Sequence, residues 1–156
     1  MGAPLDFERL EVFKVAVEAV AVLDEVAERL PDGRGYMRDQ LRRAANSIPL
    51  NIAEGAGEFA PAEKARFYRM ARRSATESAA ILDACRVLSL TSDESPQACR
   101  VVLLRIVAML TAMAKRSGTG TGTTPARVAW SRCDRANARR RAGSSRRRPR
   151  RRSPPS

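Results

Sequence analysis

Apolar residues recur every three or four positions through four long segments, and this spacing constrains the fold more than any other feature. The segments cover residues 5–30, 37–54, 61–90 and 95–115. Residues three or four apart share one face of an α-helix, so each segment predicts a helix with a buried face. No segment alternates with a period of two, so a β-sheet has no support. The sequence therefore predicts an all-α, up-down-up-down antiparallel four-helix bundle over residues 5–116.

Each predicted helix has its own predicted buried face. The predicted residues are Leu10, Phe13, Ala16, Val20, Leu23, Ala27 and Leu30 in the first helix, Met37, Leu41, Ala44 or Ala45, Ile48 and Ile52 in the second, Phe67, Met70, Ser74, Glu77, Ile81, Ala84 and Leu88 in the third, and Val101, Leu104, Val107, Leu110 or Thr111 and Ala114 in the fourth. Second apolar stripes follow the first helix at Val12, Val15, Ala19, Val22 and Val26, and the fourth at Val102, Ile106, Met109 and Met113. These stripes are either wide core faces or a subunit contact, and we favour a homo-oligomer.

The net charge of +12 belongs to the C-terminal region. Residues 115–156 contain 14 Lys or Arg and one acid, Asp134, whereas residues 1–114 have a net charge of −1. A Gly-Thr repeat over 118–124 leads into Arg, Ser, Pro and Ala, and this composition predicts a disordered basic tail over 117–156. Its arginine runs could neutralise nucleic-acid phosphates. The alternative is that a repeat or a shifted reading frame in GC-rich DNA produced the tail.

The chain lacks residues that several classes of enzyme and metal-binding protein commonly use. The chain has no His, which removes the commonest general base and zinc ligand, and its three cysteines are widely separated. We therefore expect a non-enzymatic protein without metal or cofactor. The N-terminus lacks a signal-peptide pattern. The most apolar run, 101–114, is interrupted by Arg105 and is too short to span a bilayer, so we predict a cytoplasmic protein without a membrane segment.

The second helix contains the most distinctive stretch, residues 41–55. Gly55 continues the buried face and predicts close packing, while Pro49 predicts a kink because it removes one backbone donor. A polar row on this helix can meet polar residues of the third helix if the two are antiparallel; its members are Ser47, Asn51, Glu54, Ser74 and Glu77. These residues could form a catalytic cluster or a polar network that fixes helix register. Without a nearby base we prefer the network.

The stretch Gln40–Gly55 resembles the signature of small four-helix-bundle proteins encoded by intervening sequences of bacterial large-subunit ribosomal RNA genes. The same family includes accessory variability determinants of diversity-generating retroelements. Leu10–Lys14 and the pattern Phe67, Ala71, Ser74 and Glu77 are also similar, so the resemblance covers residues 7–114. It implies a ring-like homopentamer, with RNA or DNA and a reverse transcriptase as partners of the retroelement members. Two departures are Glu58, where a basic residue is common, and Arg73, where Gly is common.

Five arginines are the candidates for phosphate contact on the bundle. They are Arg38, Arg42, Arg43, Arg69 and Arg73. Such contacts would give salt-dependent binding that tolerates different sequences. The alternative is a solvated face on which these arginines pair with acids such as Asp39, Glu63 and Glu77.

Overall fold

The computed structural model describes residues 3–91 and 94–118, with the side chains of residues 94–96 left out. It contains four α-helices, α1 (Glu11–Glu28), α2 (Gly35–Gly57), α3 (Pro61–Val87) and α4 (Glu94–Gly118). A short 3₁₀ helix, Asp6–Arg9, precedes them, and the described residues contain no strand. Each helix packs against the next, and α4 packs against α1. The all-α fold with four helices is confirmed; the predicted tail, from residue 119 onward, lies outside the described residues.

The first helix begins later than the sequence predicts. Leu10 is extended, with φ −81° and ψ 123°, and separates the 3₁₀ helix from α1. The Glu8 carboxylate accepts the backbone N–H of Leu5 at 2.6 Å, and the rings of Phe7 and Phe13 lie 4.7 Å apart. These local contacts stabilise a separate turn ahead of α1, so the uninterrupted helix over 5–30 was wrong at its start.

The third helix ends three residues before its predicted end because its C-terminus closes in a Schellman motif. Ser89 adopts the left-handed conformation with φ 52°. Its N–H donates to the carbonyl of Arg86 at 3.0 Å, and the N–H of Leu90 donates to that of Cys85 at 2.9 Å. Both bonds satisfy carbonyls that the helix end would leave without partners. The sequence has Ser where such motifs usually have Gly, so the glycine that commonly marks a helix end was absent.

Both predicted stripes of α1 contribute to one wide core face. Val12, Val15, Ala19 and Val26 of the second stripe are buried within the protomer, and of that stripe Val22 alone remains exposed. The second helix buries the predicted residues from Met37 to Ile52. The wide stripe of α1 is therefore explained by the core and no longer argues for an oligomer.

The buried faces predicted for α3 and α4 were partly wrong. In α3, Met70, Glu77, Ala84 and Leu88 are exposed, and the core contacts come from mostly small residues one position away. These buried residues are Ala65, Tyr68, Ala71, Ala75, Ser78, Ile81, Leu82 and Cys85. In α4 the core residues are Cys99, Leu103, Ile106, Leu110 and Ala114.

The error has a physical reason in each helix. Small residues in α3 allow close helix approach. Because they are only weakly hydrophobic, a search for apolar periodicity does not identify them as core residues. In α4 apolar residues surround much of the helix, so spacing alone permits two faces. Val101 and Leu104, predicted to face inward, are 61% and 56% exposed.

The segment Gln97–Gly118 of α4 is long and apolar enough to cross a membrane, with a mean hydropathy of 1.6. The expectation that the apolar run was too short is therefore wrong as an argument from length. A mostly buried core helix passes the same test, but 28% of this segment is buried, through residues such as Leu103, Ile106 and Leu110 that pack against the bundle. Absence of a membrane contact stays a prediction.

Candidate nucleic-acid interface and polar network

The polar row between α2 and α3 forms a hydrogen-bonded network around Ser47. The Asn51 amide donates to the Ser47 hydroxyl oxygen at 2.9 Å and to the Ser47 backbone carbonyl at 2.7 Å. The Ser74 hydroxyl of α3 lies 3.0 Å from that of Ser47 and 3.2 Å from the carbonyl of Met70. Asn51 is 8% exposed, so leaving its amide without partners would carry a desolvation cost. Ser47, Asn51 and Ser74 thus join as the sequence predicts.

Glu54 and Glu77 do not join this network. Glu77 accepts a hydrogen bond from the Gln40 amide at 3.5 Å, and both side chains are exposed. Glu54 is exposed near the end of α2, and no hydrogen bond engages its side chain in the described part of the chain. The two carboxylates therefore have different surroundings, and neither touches the Ser47–Ser74 bond.

Gly55 lies at a close contact between α2 and α3. A Cβ on Gly55 would stand 2.8 Å from Cε1 of Tyr68 and 3.0 Å from Cβ of Phe67. The close packing predicted for Gly55 is confirmed, and the contact is the ring of Tyr68, which is itself buried. Pro49 lies inside α2, which runs on past it to Gly57; the kink stays a prediction.

A polar groove of about 630 Å³ lies between α2 and α3. Ser47 and Ser74 line it, together with Tyr36, Arg43 and Glu77. Nucleophilic use of a serine needs a neighbouring base of tuned pKa. Asp39 and Glu77, the carboxylates of the groove, are exposed. Among the described residues no group of three or more His, Cys, Asp or Glu is placed to hold a metal.

Arg38 and Arg42, two of the five candidates, bind the protein itself. The Arg38 guanidinium donates to the carbonyls of Ala27 and Leu30 at 3.1 and 2.9 Å, and so satisfies the C-terminal end of α1. Arg42 forms ion pairs across to α1, with Asp24 at 2.6 Å and with Glu28. The hydrogen bonds that Arg42 donates to these carboxylates raise the pKa of its guanidinium above the ordinary value. Both guanidinium groups therefore have structural partners.

The remaining candidates are exposed, and they fall into two places. Arg43 lines the polar groove on α2, while Arg69 and Arg73 lie on α3. In the described part of the chain no ion pair or hydrogen bond engages these three guanidinium groups. Arg66 shares the exposed face with Arg69 and Arg73, at spacings of three and four, but it pairs with Glu63 at 2.7 Å. We name Arg66, Arg69 and Arg73 the arginine stripe.

The stripe lies in the most basic part of the described chain. Residues 64–73 contain five Lys or Arg and no acid. Helix α4 packs against α3, and residues 97–118 contain four Lys or Arg and again no acid. Arg72 and Arg73 also border a groove that reaches Val107 of α4. Arg100 and Arg105 of α4 are paired with Asp83 and Glu11. The local positive charge therefore comes mainly from α3, and it coexists with the net charge of −1 over residues 1–114.

Sequence reasoning missed Phe59, which is 98% exposed. It lies in the α2–α3 connection, before the first turn of α3. Glu58, which stands where the resembling family commonly has a basic residue, has a local role here. Its carboxylate accepts the backbone N–H groups of Phe59 at 3.0 Å and of Ala60 at 3.3 Å. The sequence showed an aromatic in a short loop, but exposure could not be read from it.

The buried titratable groups point to packing roles. Burial raises the pKa of the Tyr68 hydroxyl and of the Cys85 and Cys99 thiols. A raised thiol pKa lowers the thiolate fraction at neutral pH, so neither cysteine has the environment of a reactive nucleophile. Both thiols are free and lie in the core.

The helices and their polar network define a class: an all-α four-helix bundle whose central polar residues hold two helices together. Within that class, the model of the 23S rRNA-intervening sequence protein family matches residues 8–112. The chain belongs to this family. No curated protein matches the chain.

Proposed function

We propose that the chain is a non-enzymatic, self-associating cytoplasmic accessory protein that binds nucleic acid, a protein partner such as a reverse transcriptase, or both. The observation that carries the nucleic-acid part lies in the arginine stripe. The exposed guanidinium groups of Arg69 and Arg73 have no ion pair or hydrogen bond among the described residues, and they lie in a ten-residue segment, 64–73, without acids. Arginine is suited to phosphate because its planar fork donates two parallel hydrogen bonds. Each contact also releases counterions, which favours binding to any nucleic-acid sequence.

The test must separate the bundle from the arginine-rich tail. The full-length chain is compared with a full-length variant in which nine tail arginines, at 139–141, 146–148 and 150–152, are changed to Gln. Binding to a labelled RNA is measured over a series of salt concentrations. In both backgrounds R69A/R73A should weaken binding. The slope of log K against log salt should become less negative by about 0.7–0.9 per lost contact.

Two controls sharpen this experiment. R34A/R86A removes two cations from the opposite end of the α2–α3 pair and should leave the slope unchanged. R38A should lower the free energy of unfolding by about 1–3 kcal/mol, since it removes charged hydrogen bonds to helix carbonyls, and should also leave the slope unchanged. If the Gln-substituted tail abolishes binding, the tail is responsible and the bundle does not bind nucleic acid.

The reverse-transcriptase partner and the homopentamer rest on the resemblance to retroelement members, and we carry both as part of the proposal. A gene for a reverse transcriptase beside a repeat template would support the retroelement role. A gene located inside a ribosomal RNA gene would support the other branch of the family. Co-purification of the chain with the neighbouring reverse transcriptase tests the partnership directly.

A structural or selfish-element protein without any ligand is the second candidate. Arg38 and Arg42 favour it, because two of five candidate phosphate ligands are engaged within the protein. Under this alternative, wild type and R69A/R73A would show the same weak RNA affinity and the same salt slope.

A further inference from the structure

We propose that Phe59 and the arginine stripe together form a site for single-stranded nucleic acid, in which Phe59 stacks on an unpaired base. This inference rests on the proposed nucleic-acid binding and adds to it the strandedness of the ligand and the residue that selects it.

The first observation is the position of Phe59. A phenylalanine that is 98% exposed leaves almost its whole ring in water, where it adds nothing to the core. The ring can therefore be removed without a folding cost, and both of its faces are accessible to a flat partner. Every base has a π-face, so stacking on an aromatic ring binds single strands with little dependence on sequence.

The second observation is that the backbone beneath Phe59 is held in place. The Glu58 carboxylate accepts two successive backbone N–H groups, of Phe59 and Ala60. The N–H of Lys64 then donates to the Ala60 carbonyl at 2.9 Å, which ties the loop to the first turn of α3. A preorganised loop loses less conformational entropy when it binds, so an aromatic presented this way is a better anchor than one on a mobile segment.

The third observation is charge. The arginine stripe lies on α3, which begins two residues after Phe59. A helix rises about 1.5 Å per residue, so Arg66, Arg69 and Arg73 span about 10 Å along the axis. Proteins that bind single strands combine such a cationic track with aromatic stacking. In a duplex the bases are paired and stacked on each other, so Phe59 would find no free face. The pairing of one exposed ring with a cationic track therefore favours a single strand over a duplex.

The experiment measures fluorescence anisotropy of labelled oligo(U) and of the same strand annealed to oligo(A), with the full-length chain carrying the Gln-substituted tail. Wild type should bind the single strand more tightly. F59A should weaken oligo(U) binding about tenfold while leaving duplex binding unchanged. F59W should restore the affinity, because its larger ring also stacks. The control V87A removes an apolar side chain that is 76% exposed at the far end of α3, and it should change neither affinity.

The salt dependence separates the two roles. F59A should leave the salt slope for oligo(U) unchanged, since stacking neutralises no phosphate, whereas R69A/R73A should reduce it. If wild type binds single strand and duplex equally and F59A has no effect, stacking is overturned while the proposed nucleic-acid binding stands. If neither RNA binds in this background, nucleic-acid binding by the bundle is overturned, and the stacking site with it. Thermal unfolding of F59A should match wild type; a lower Tm would show that Phe59 has a structural role.

Discussion

At the scale of single residues, the absence of a side chain on Gly55 allows α2 and α3 to pack closely. Gly55 faces Tyr68 so closely that a methyl group would stand 2.8 Å from the ring. A Cβ on Gly57, two residues later on the same helix, would meet no atom of the described residues within 4 Å beyond its chain neighbours and the local helix backbone. The two glycines have similar helical positions but opposite surroundings, so they form a natural pair for testing close packing.

We predict that Gly55→Ala destabilises the protein and Gly57→Ala does not. Alanine gains about 1 kcal/mol of helix propensity at an interior site, whereas overpacking typically costs about 1–3 kcal/mol. Gly55→Ala should therefore lower the free energy of unfolding by roughly 1 kcal/mol. Gly57→Ala, near the helix end, should be neutral or raise it by up to about 1 kcal/mol. Urea unfolding monitored by circular dichroism measures both, and equal effects would contradict the close contact.

At the scale of elements, α2 and α3 are joined by complementary apolar and polar contacts. Small residues of α3, such as Ala71 and Ala75, allow close approach, and they share one buried core with Ile48 and Ile52 of α2. Apolar contacts of this kind tolerate sliding, whereas a hydrogen bond between Ser47 and Ser74 has one good register. The hydrogen bond therefore favours one alignment of α2 and α3 among those that apolar packing alone permits.

A double-mutant cycle on Ser47 and Ser74 tests this pairing. Each change to Ala should cost about 1 kcal/mol, and the pair should show a coupling energy of about 0.5–1.5 kcal/mol. The matched control is Thr76, whose hydroxyl donates to the Arg72 carbonyl of its own helix at 3.0 Å. S47A combined with T76A should be additive within about 0.5 kcal/mol. A coupling as small as this control would show that the two serines act independently.

At the scale of the whole molecule, the case for self-association now rests on α4. Most of the second α1 stripe lies in the protomer core, while Val101 and Leu104 remain more than half exposed on one face of α4. These two side chains are three residues apart and hence adjacent on the helix surface. An exposed apolar patch on a bundle that belongs to this family is where we propose that copies meet.

We predict that V101S/L104S weakens self-association of the full-length chain. Losing about 2 kcal/mol of apolar burial corresponds to roughly thirtyfold weaker association. The free energy of unfolding of the protomer should change little, since both side chains are exposed. Sedimentation velocity measures the assembly, with V87S/L88S as the control because its apolar residues are also exposed. A monomeric wild type would refute self-association, and an unchanged variant would place the contact elsewhere.

The sequence by itself determined the number and approximate extent of the helices, because periodicity of three to four residues is a local property. It also predicted Gly55 as a close-packing site and the contact of Ser47 with Ser74, since both depend on facing positions of two neighbouring helices. Asn51 lies one turn from Ser47 on the same helix, so its contact with Ser47 follows from local spacing. Tertiary structure decided which face of α3 and α4 is buried, because small core residues and an apolar surround leave the pattern ambiguous. It also decided which arginines have partners within the protein. Whether a guanidinium caps a helix, like that of Arg38, or remains exposed, like that of Arg69, depends on partners distant in sequence.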